Sequence, residues 1–186
     1  MATDFLTVVS ATFRIYYVLV VMEIGSRKIL YTNVTAHPTA DWVRQQLRQA
    51  IPNDHAYRFL IHDRGSAFST RVDDTIRSLG IRPLRTPYRA PRANAYCERL
   101  IGTVRRECLD YLIPLSQNHL RLILREYVDY YNQARPHSAL GPGIPEPVDD
   151  TIEQQLDPHR LPENARVVKI PVLGGLHHDY RLEKVA

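Results

Sequence analysis

The stretch TDFLTVVSATFRIYYVLVVMEIGSRKILYTNVT, residues 3–35, decides the fold of this chain. It contains three runs rich in β-branched and aromatic residues, at 3–10, 15–24 and 28–35, joined by short polar links. Strands joined by short links pair antiparallel, because a parallel connection has to return along the whole length of a strand. The stretch therefore predicts an antiparallel meander of three strands.

Beyond residue 35 the pattern alternates between helix and strand. The predicted elements are helices near 39–50, 70–79, 94–111 and 117–132 and strands at 57–63 and 81–86. The last two strands are joined through a helix, so they should run parallel. The sequence therefore predicts an α/β domain with a mixed five-stranded sheet, an antiparallel meander plus two parallel strands, flanked by helices.

The composition predicts one main domain with an appendage. The chain has 186 residues, of which 44% are hydrophobic and 24% are charged, which is ordinary for a globular domain. Residues 1–140 form the predicted core domain and 141–165 a connector rich in proline and acids. Residues 166–186 form a predicted terminal hairpin that turns on Gly174 and Gly175.

The positive charge of the chain is concentrated in one segment. The formal net charge is +4, but seven arginines and one acid lie between Arg82 and Arg106, a local charge of +6. A concentrated basic segment favours a polyanionic partner, nucleic acid first, because bound phosphates release counterions.

Two further features bear on the compartment. Cys97 and Cys108 lie roughly 16 Å apart along one predicted helix, too far for a disulfide, so we expect reduced thiols. The N-terminus has no basic leader and the longest apolar run is too short to cross a membrane. We expect a soluble cytoplasmic protein with no membrane partner.

Three acids stand where a structural role is hard to assign. Asp4 interrupts an apolar strand, and Asp63 follows the carboxyl end of another, where open α/β sheets bind their ligands. On a helical wheel Glu98 lies at the rim of the core face, within about 40° of Asn94 and Arg105. The predicted core face comprises Tyr96, Cys97, Leu100, Ile101, Val104, Cys108 and Tyr111.

These acids stand in the motifs ATDFLTV, FLIHDRGSAF and RANAYCERLIGTVRREC, and YNQARPHSALG follows at 131–141. Together, in this order and spacing, the motifs resemble the DDE integrase core of insertion-sequence transposases, which is similar to that of retroviral integrases. The resemblance implies a ribonuclease-H-like fold and DNA strand cleavage and joining without a covalent protein intermediate. It also implies multimers that act on the element ends and on target DNA.

By this resemblance, Asp4, Asp63 and Glu98 are catalytic and hold two Mg²⁺ or Mn²⁺ ions, with Asp4 bridging them. Oxygen ligands of this kind suit both metals. Arg105 occupies the place of a basic residue that contacts DNA in such helices. The residues that we expect to contact DNA are Arg92, Asn94, Arg99, Arg105 and Arg106.

Several alternatives stay open. The chain could be a ribonuclease-H-like nuclease that cuts without joining, or a non-catalytic transposase remnant that binds DNA or other subunits. Related transposases carry an N-terminal helix-turn-helix part that recognises the element ends, and only three residues precede Asp4 here. We therefore expect specific end recognition to require a part outside this sequence.

Individual residues have alternative interpretations too. Asp4 could instead pair with a buried arginine, and Glu98 could belong to a salt-bridged helix surface. The arginines could serve solubility rather than phosphate contact. His62 should point to the face opposite Asp63 and pack there, and the adjacent histidines at 177–178 receive no metal for the same reason. The cluster of Tyr131, Arg135 and His137 either packs at a helix end or contacts DNA or a partner subunit.

Overall fold

The computed structural model describes residues 1–87, 94–141, 143–146 and 165–184. The chain divides into two compact units, Met1–Leu124 and Arg125–Ala186. The strands are Ala2–Val9 (β1), Ile15–Met22 (β2), Ile29–Thr35 (β3), Phe59–His62 (β4), Arg82–Arg85 (β5), Ala165–Val172 (β6) and His177–Lys184 (β7). The helices are Ala40–Ala50 (α1), Thr70–Ser78 (α2), Ala95–Val104 (α3) and Gln117–Gln133 (α4).

The first unit is built on a five-stranded mixed sheet. Its strand order is β3-β2-β1-β4-β5, with antiparallel pairing between β1, β2 and β3 and parallel pairing of β4 with both β1 and β5. The predicted sheet, a meander plus two parallel strands, is therefore confirmed. The apolar runs form strands because β-branched and aromatic side chains pack well on a pleated, half-buried surface.

Helices α1 and α2 supply the apolar faces that cover one side of this sheet. Val43, Leu47 and Ala50 recur at helical spacing on α1 and are buried, as are Val72 and Ile76 on α2. They pack in one cluster with Leu19, Val21, Leu60, Phe68 and Ile81. Full burial of a side chain such as Leu47 contributes roughly 2 kcal/mol, so this cluster contributes substantially to stability. Thr39 caps α1 by accepting a hydrogen bond from the Trp42 amide over 3.2 Å, as its position predicts.

Helix α3 departs from the regular helix predicted for residues 94–111. It ends at Val104 and continues as a π-helical turn at Arg105–Leu109. A π-turn adds one residue to the turn and rotates the residues beyond it about the helix axis. Tyr111 accordingly lies beyond the helix with 66% exposure, and Tyr96 is 45% exposed, so their predicted place in the core face is wrong. The buried positions of that face are Cys97, Leu100, Val104 and Cys108, and both cysteines are reduced thiols, as expected.

The second unit contains the β6–β7 hairpin, which turns at Leu173–Gly175. Gly174 and Gly175 have φ values of 66° and 96°, the left-handed region that glycine tolerates best. Glu126 accepts a hydrogen bond from the Leu173 amide, and the rings of Tyr130 and His177 stack at 4.7 Å. Most of the connector predicted at 141–165 lies outside the described residues, and the three domain boundaries stay predictions.

In the part of the chain that the structure describes, no helix combines the length and apolarity needed to cross a membrane.

Candidate active site

Asp4 and Asp63 extend from neighbouring parallel strands at equivalent heights. Ala2 on β1 pairs with Ile61 on β4, and each aspartate follows its paired residue by two positions. Side chains two residues apart on a strand share a face, and adjacent strands lie roughly 4.8 Å apart. The register therefore brings both carboxylates to one side of the sheet where β4 ends.

Asp63 is held in a tight turn by its own carboxylate. The Gly65 amide donates to Asp63 Oδ1 over 3.0 Å, and the Phe68 amide donates to the Gly65 carbonyl over 2.8 Å. A Cβ at position 65 would lie 3.1 Å from both Asp63 carboxylate oxygens. Glycine at this position is what lets the carboxylate fold back onto the turn.

Asp4 is only partly accessible, and its environment disfavours the charged form. Burial, and to a smaller extent the negative charges of Asp63 and Glu98, raise the pKa of Asp4 to about 6 against the opposing hydrogen bond from the Phe5 amide. The Asn94 amide donates to Asp4 Oδ2 over 3.2 Å and favours the ionised carboxylate. The three acids therefore lie within one electrostatic neighbourhood.

Helix α3 lies along β1 and carries the third acid. Asn94, at its N-terminus, donates to the Thr3 carbonyl over 3.3 Å, and Arg105 donates to the Thr7 carbonyl over 3.0 Å. Between these two anchors, Glu98 stands exposed in the first turn, one turn after Asn94. The helix is thus tied to the strand that bears Asp4 on both sides of Glu98.

The three acids are near one another, but their carboxylates are not close enough together to bind one metal ion. Among the described residues, no three His, Cys, Asp or Glu side chains lie close enough together to hold one ion. Charges interact over longer distances than a metal–oxygen bond. Asp63 and Glu98 can therefore raise the pKa of Asp4 without lying close enough to share one ion with it. Burial raises the pKa of the Cys97 thiol, and the charges of Asp4 and Glu98 raise it further, so this thiol stays protonated and is no thiolate ligand.

The residues expected to contact DNA occupy different environments. Asn94 is 4% exposed and binds Asp4 and Thr3, so its amide faces the protein. Arg105 is half-buried against β1, whereas Arg99 and Arg106 are exposed. Arg106 folds over α3 so that its Nη1 lies 3.0 Å from where a Cβ on Gly102 would stand. Arg92 lies outside the described residues.

A buried polar chain behind Asp63 escaped the sequence analysis. His62 is fully buried, as its strand position predicts, but its ring is not packed against apolar groups alone. Nδ1 lies 2.7 Å from the Asp63 carbonyl and Nε2 lies 3.1 Å from Asp73 Oδ1. Asp73 Oδ2 lies 2.9 Å from Arg85 Nε. The two groups form an ion pair, but the Arg85 Nε–H is not directed at the carboxylate well enough to count as a hydrogen bond. The only sign of this chain in the sequence was a histidine next to a candidate metal ligand. Its partners could not be recognised because they lie on α2 and β5.

The tail motif forms a compact cluster in the second unit. The rings of Tyr131 and His137 meet edge to face at 4.5 Å, and the Arg135 guanidinium lies 5.6 Å from the Tyr131 ring centroid. Tyr131 and His137 are buried. These contacts fit the packing interpretation of the motif, and a DNA or subunit contact by Arg135 stays a prediction.

Parts of the chain are similar in sequence to known proteins. Residues 79–145 match the family model "Integrase core domain". The chain is 37% identical over 93 residues to an uncharacterized protein of insertion element IS136 in Agrobacterium fabrum, covering 46% of this chain and 44% of that protein. It is 32% identical over 82 residues to transposase InsD of insertion element IS2D in Escherichia coli, covering 42% of this chain and 27% of that protein. The chain thus matches less than half the length of these relatives.

The fold has a counterpart among solved structures. The catalytic core domain of HTLV-2 integrase, in complex with magnesium and in a dimeric form, superimposes with a TM-score of 0.60 at 17% sequence identity. The match covers 77% of this chain and 90% of that domain. This likeness shows the ribonuclease-H-like fold that the motifs implied. Within that fold, residues 79–145 match the integrase core domain, and the chain is similar over less than half of its length to proteins of insertion elements, one of them a transposase.

Proposed function

We propose that this chain is the catalytic core of a DDE transposase, which cuts DNA at the ends of a mobile element and joins the 3′ ends to target DNA. The observation that carries the proposal is that Asp4 on β1 and Asp63, directly after the parallel neighbour β4, stand at equivalent heights, while α3, which bears Glu98, is bound to β1 through Asn94. The pKa of Asp4 is raised first by burial and then by the negative charges of Asp63 and Glu98, and this second contribution supports the proximity of the three acids.

The donor set fits two divalent cations. Asp4, Asp63 and Glu98 offer only carboxylate oxygens, which suit Mg²⁺ and Mn²⁺. A bound pair of such ions activates the attacking oxygen and stabilises the leaving oxygen of a phosphodiester. In our proposal Asp4, Asp63 and Glu98 would hold these ions.

The local structure says how the chain prepares this site. Asp63 is fixed by its turn and Asp4 by the amides of Phe5 and Asn94. Glu98 is exposed and its side chain has three rotatable bonds, so it is the ligand that can swing inward when a cation offsets the repulsion. Since the described acids do not by themselves surround a point, we propose that Glu98 completes the site only on metal binding.

Substrate binding would rest on the exposed arginines of α3 and of the π-turn after it. Arg99 and Arg106 are free to meet phosphates, and Arg105 holds the helix against β1. We propose that DNA lies along this helix and that the protein acts as a homo-oligomer, as the dimeric form of the integrase neighbour suggests. A transposase works where its DNA is, which places this one in the bacterial cytoplasm.

The decisive experiment replaces Glu98 by glutamine. We expect Glu98→Gln to abolish Mg²⁺-dependent strand transfer on a DNA substrate while DNA binding persists, because the amide keeps the shape of the side chain and loses its charge. Asp110→Asn, an exposed acid just beyond the π-turn, is the matched control and should keep transfer. Transfer retained by Glu98→Gln would refute the assignment.

The same assay separates the two rivals. A ribonuclease-H-like nuclease would give cleaved ends without strand-transfer products in Mn²⁺. A non-catalytic remnant would bind DNA and give neither product with either metal.

A further inference from the structure

Behind Asp63, on the opposite face of β4, lies a continuous buried polar chain that the proposed catalysis does not use. It runs from the Asp63 carbonyl through the His62 ring to Asp73 and then to Arg85. His62 has no exposed surface, and its ring stacks on Phe68 with centroids 5.0 Å apart. Three elements, β4, α2 and β5, therefore converge on the residue next to a candidate metal ligand.

The hydrogen-bond partners fix the orientation of the His62 ring. A peptide carbonyl can only accept, so Nδ1 must carry the proton that it donates to the Asp63 carbonyl. Nε2 faces a carboxylate oxygen of Asp73, and one proton shared across that contact satisfies both atoms. Turning the ring would break both contacts and leave buried polar atoms unpaired. Because unpaired buried polar atoms are costly, the ring keeps this orientation.

These contacts grip Asp63 from the side that faces away from the candidate site. His62 holds the carbonyl of Asp63, and the Gly65 amide holds its carboxylate. The Thr86 amide donates to the His62 carbonyl over 3.0 Å and ties the peptide that precedes Asp63 to the end of β5. The backbone that aims the Asp63 side chain is thus anchored to the core.

We propose that His62 is a positioning residue for Asp63: its Nδ1–H···O=C bond, braced by Asp73 and Arg85, sets the orientation in which Asp63 binds metal. This inference rests on the proposed function, in which Asp63 is a ligand. Partners that orient metal ligands typically affect metal affinity strongly, although they never touch the metal. A network that only stabilised the fold would not affect metal affinity in this selective way.

Two isosteric substitutions separate positioning from stability. His62→Asn places an amide nitrogen near the position of Nδ1 and keeps the donor to the Asp63 carbonyl. His62→Gln places its amide near Nε2, keeps the contact with Asp73 and loses the donor to Asp63. The measurements are Mn²⁺ affinity of the full chain, by calorimetric titration, and the thermal unfolding midpoint in a chelator.

We expect both variants to unfold at lower temperature than the wild type, since each loses one buried hydrogen bond. Mn²⁺ binding should weaken roughly tenfold in His62→Gln and stay within about twofold in His62→Asn. Equal Mn²⁺ affinity in the two variants, or affinity that follows the unfolding midpoint, overturns the proposal.

Two further variants complete the design. If His62→Gln does not fold, Asp73→Leu removes the brace from the ring and Asp73→Asn keeps an acceptor for it, so Mn²⁺ binding should weaken in the first and persist in the second. Equal affinity there also overturns the proposal. Asp63→Asn tests the metal site itself: if it leaves Mn²⁺ binding intact, the proposed function fails, whereas loss of binding there with normal binding in His62→Gln rejects the positioning role alone.

Discussion

At the scale of single residues, Asp4 carries a conflict between burial and charge. Its pKa is raised from 3.8 to about 6 by burial and by the neighbouring acids. The folded chain then holds this proton more tightly than the unfolded chain does. The contribution of Asp4 to stability is therefore fully present below about pH 4 and is lost as the pH rises through about 6.

Removing the charge should relieve this conflict. We expect Asp4→Asn, in a chelator, to raise the free energy of unfolding at pH 7.5 by roughly 1–3 kcal/mol, a range bounded by the pKa difference between folded and unfolded chains. The gain should disappear below pH 4, where Asp4 is protonated in both states. Denaturant unfolding of both proteins from pH 4 to 8 measures the difference, and a gain that is constant over this range would contradict the account.

Gly65 is the second residue whose chemistry follows from a close approach. A Cβ there would stand 3.1 Å from both carboxylate oxygens of Asp63, closer than packing normally allows, so the carboxylate would have to move. We expect Gly65→Ala to reduce strand transfer roughly tenfold or more, since small displacements of a catalytic group are costly. Gly25→Ala is the control, because no atom lies within 4 Å of the added methyl group. Equal activity of the two variants would show that the turn does not aim Asp63.

At the scale of elements, the sequence predicted the sheet well because each strand carries its own signal. The β-branched runs of β1, β2 and β3 and their short links determine strand and direction locally. Asp4 and Asp63 could be chosen from position alone, since one interrupts an apolar strand and the other ends one. The π-turn at Arg105–Leu109 could not be predicted, because its residues are compatible with regular helix and only packing selects the wider turn.

The elements also explain why the support of the site stayed hidden. His62, Asp73 and Arg85 come from β4, α2 and β5, and nothing in their spacing says that they meet. Asn94 lies near Glu98 on the helical wheel and was predicted to contact DNA, yet its amide donates to Asp4 because α3 lies close to β1. A helical wheel shows which side of the helix a residue lies on, but it does not show that β1 packs against that side.

The edge strand β3 has a backbone carbonyl, that of Val34, which α4 covers against pairing with another strand. The Val34 carbonyl accepts from Gln117 Nε2 at 2.9 Å and from Arg121 Nη2 at 2.8 Å, both on α4, so a group that would otherwise attract another strand is covered. We expect Gln117→Ala and Arg121→Ala each to cost about 1 kcal/mol of stability, and the double variant to cost more than their sum, because only then is the carbonyl unpaired.

Denaturant unfolding of the four proteins of this cycle gives the coupling. Asn118→Ala removes only the neighbouring contact with Arg121 Nη1 and serves as the control, with a smaller expected loss. Strict additivity of the two main substitutions would mean that the carbonyl does not depend on them jointly.

At the scale of the whole molecule, charge is distributed as expected of a protein that meets a polyanion on one segment. The net charge of +4 is smaller than the local +6 between Arg82 and Arg106, so the rest of the chain is slightly acidic. Such a distribution attracts DNA to one place and leaves the remaining surface indifferent to it. The described arginines free to act in this way on α3 and its π-turn are Arg99 and Arg106.

Salt dependence tests whether these two arginines neutralise phosphates. We expect Arg99→Ala and Arg106→Ala each to weaken binding to duplex DNA uniformly across sequences and to lower the slope of log affinity against log salt by about 0.9, with the double variant losing about twice that. Arg48→Ala, an exposed arginine in the last turn of α1, should leave the slope unchanged because it lies outside the basic segment. Fluorescence anisotropy from 50 to 300 mM salt measures the wild type and the four variants. Weaker binding with an unchanged slope would mean that the arginines act on the fold of α3 rather than on phosphate.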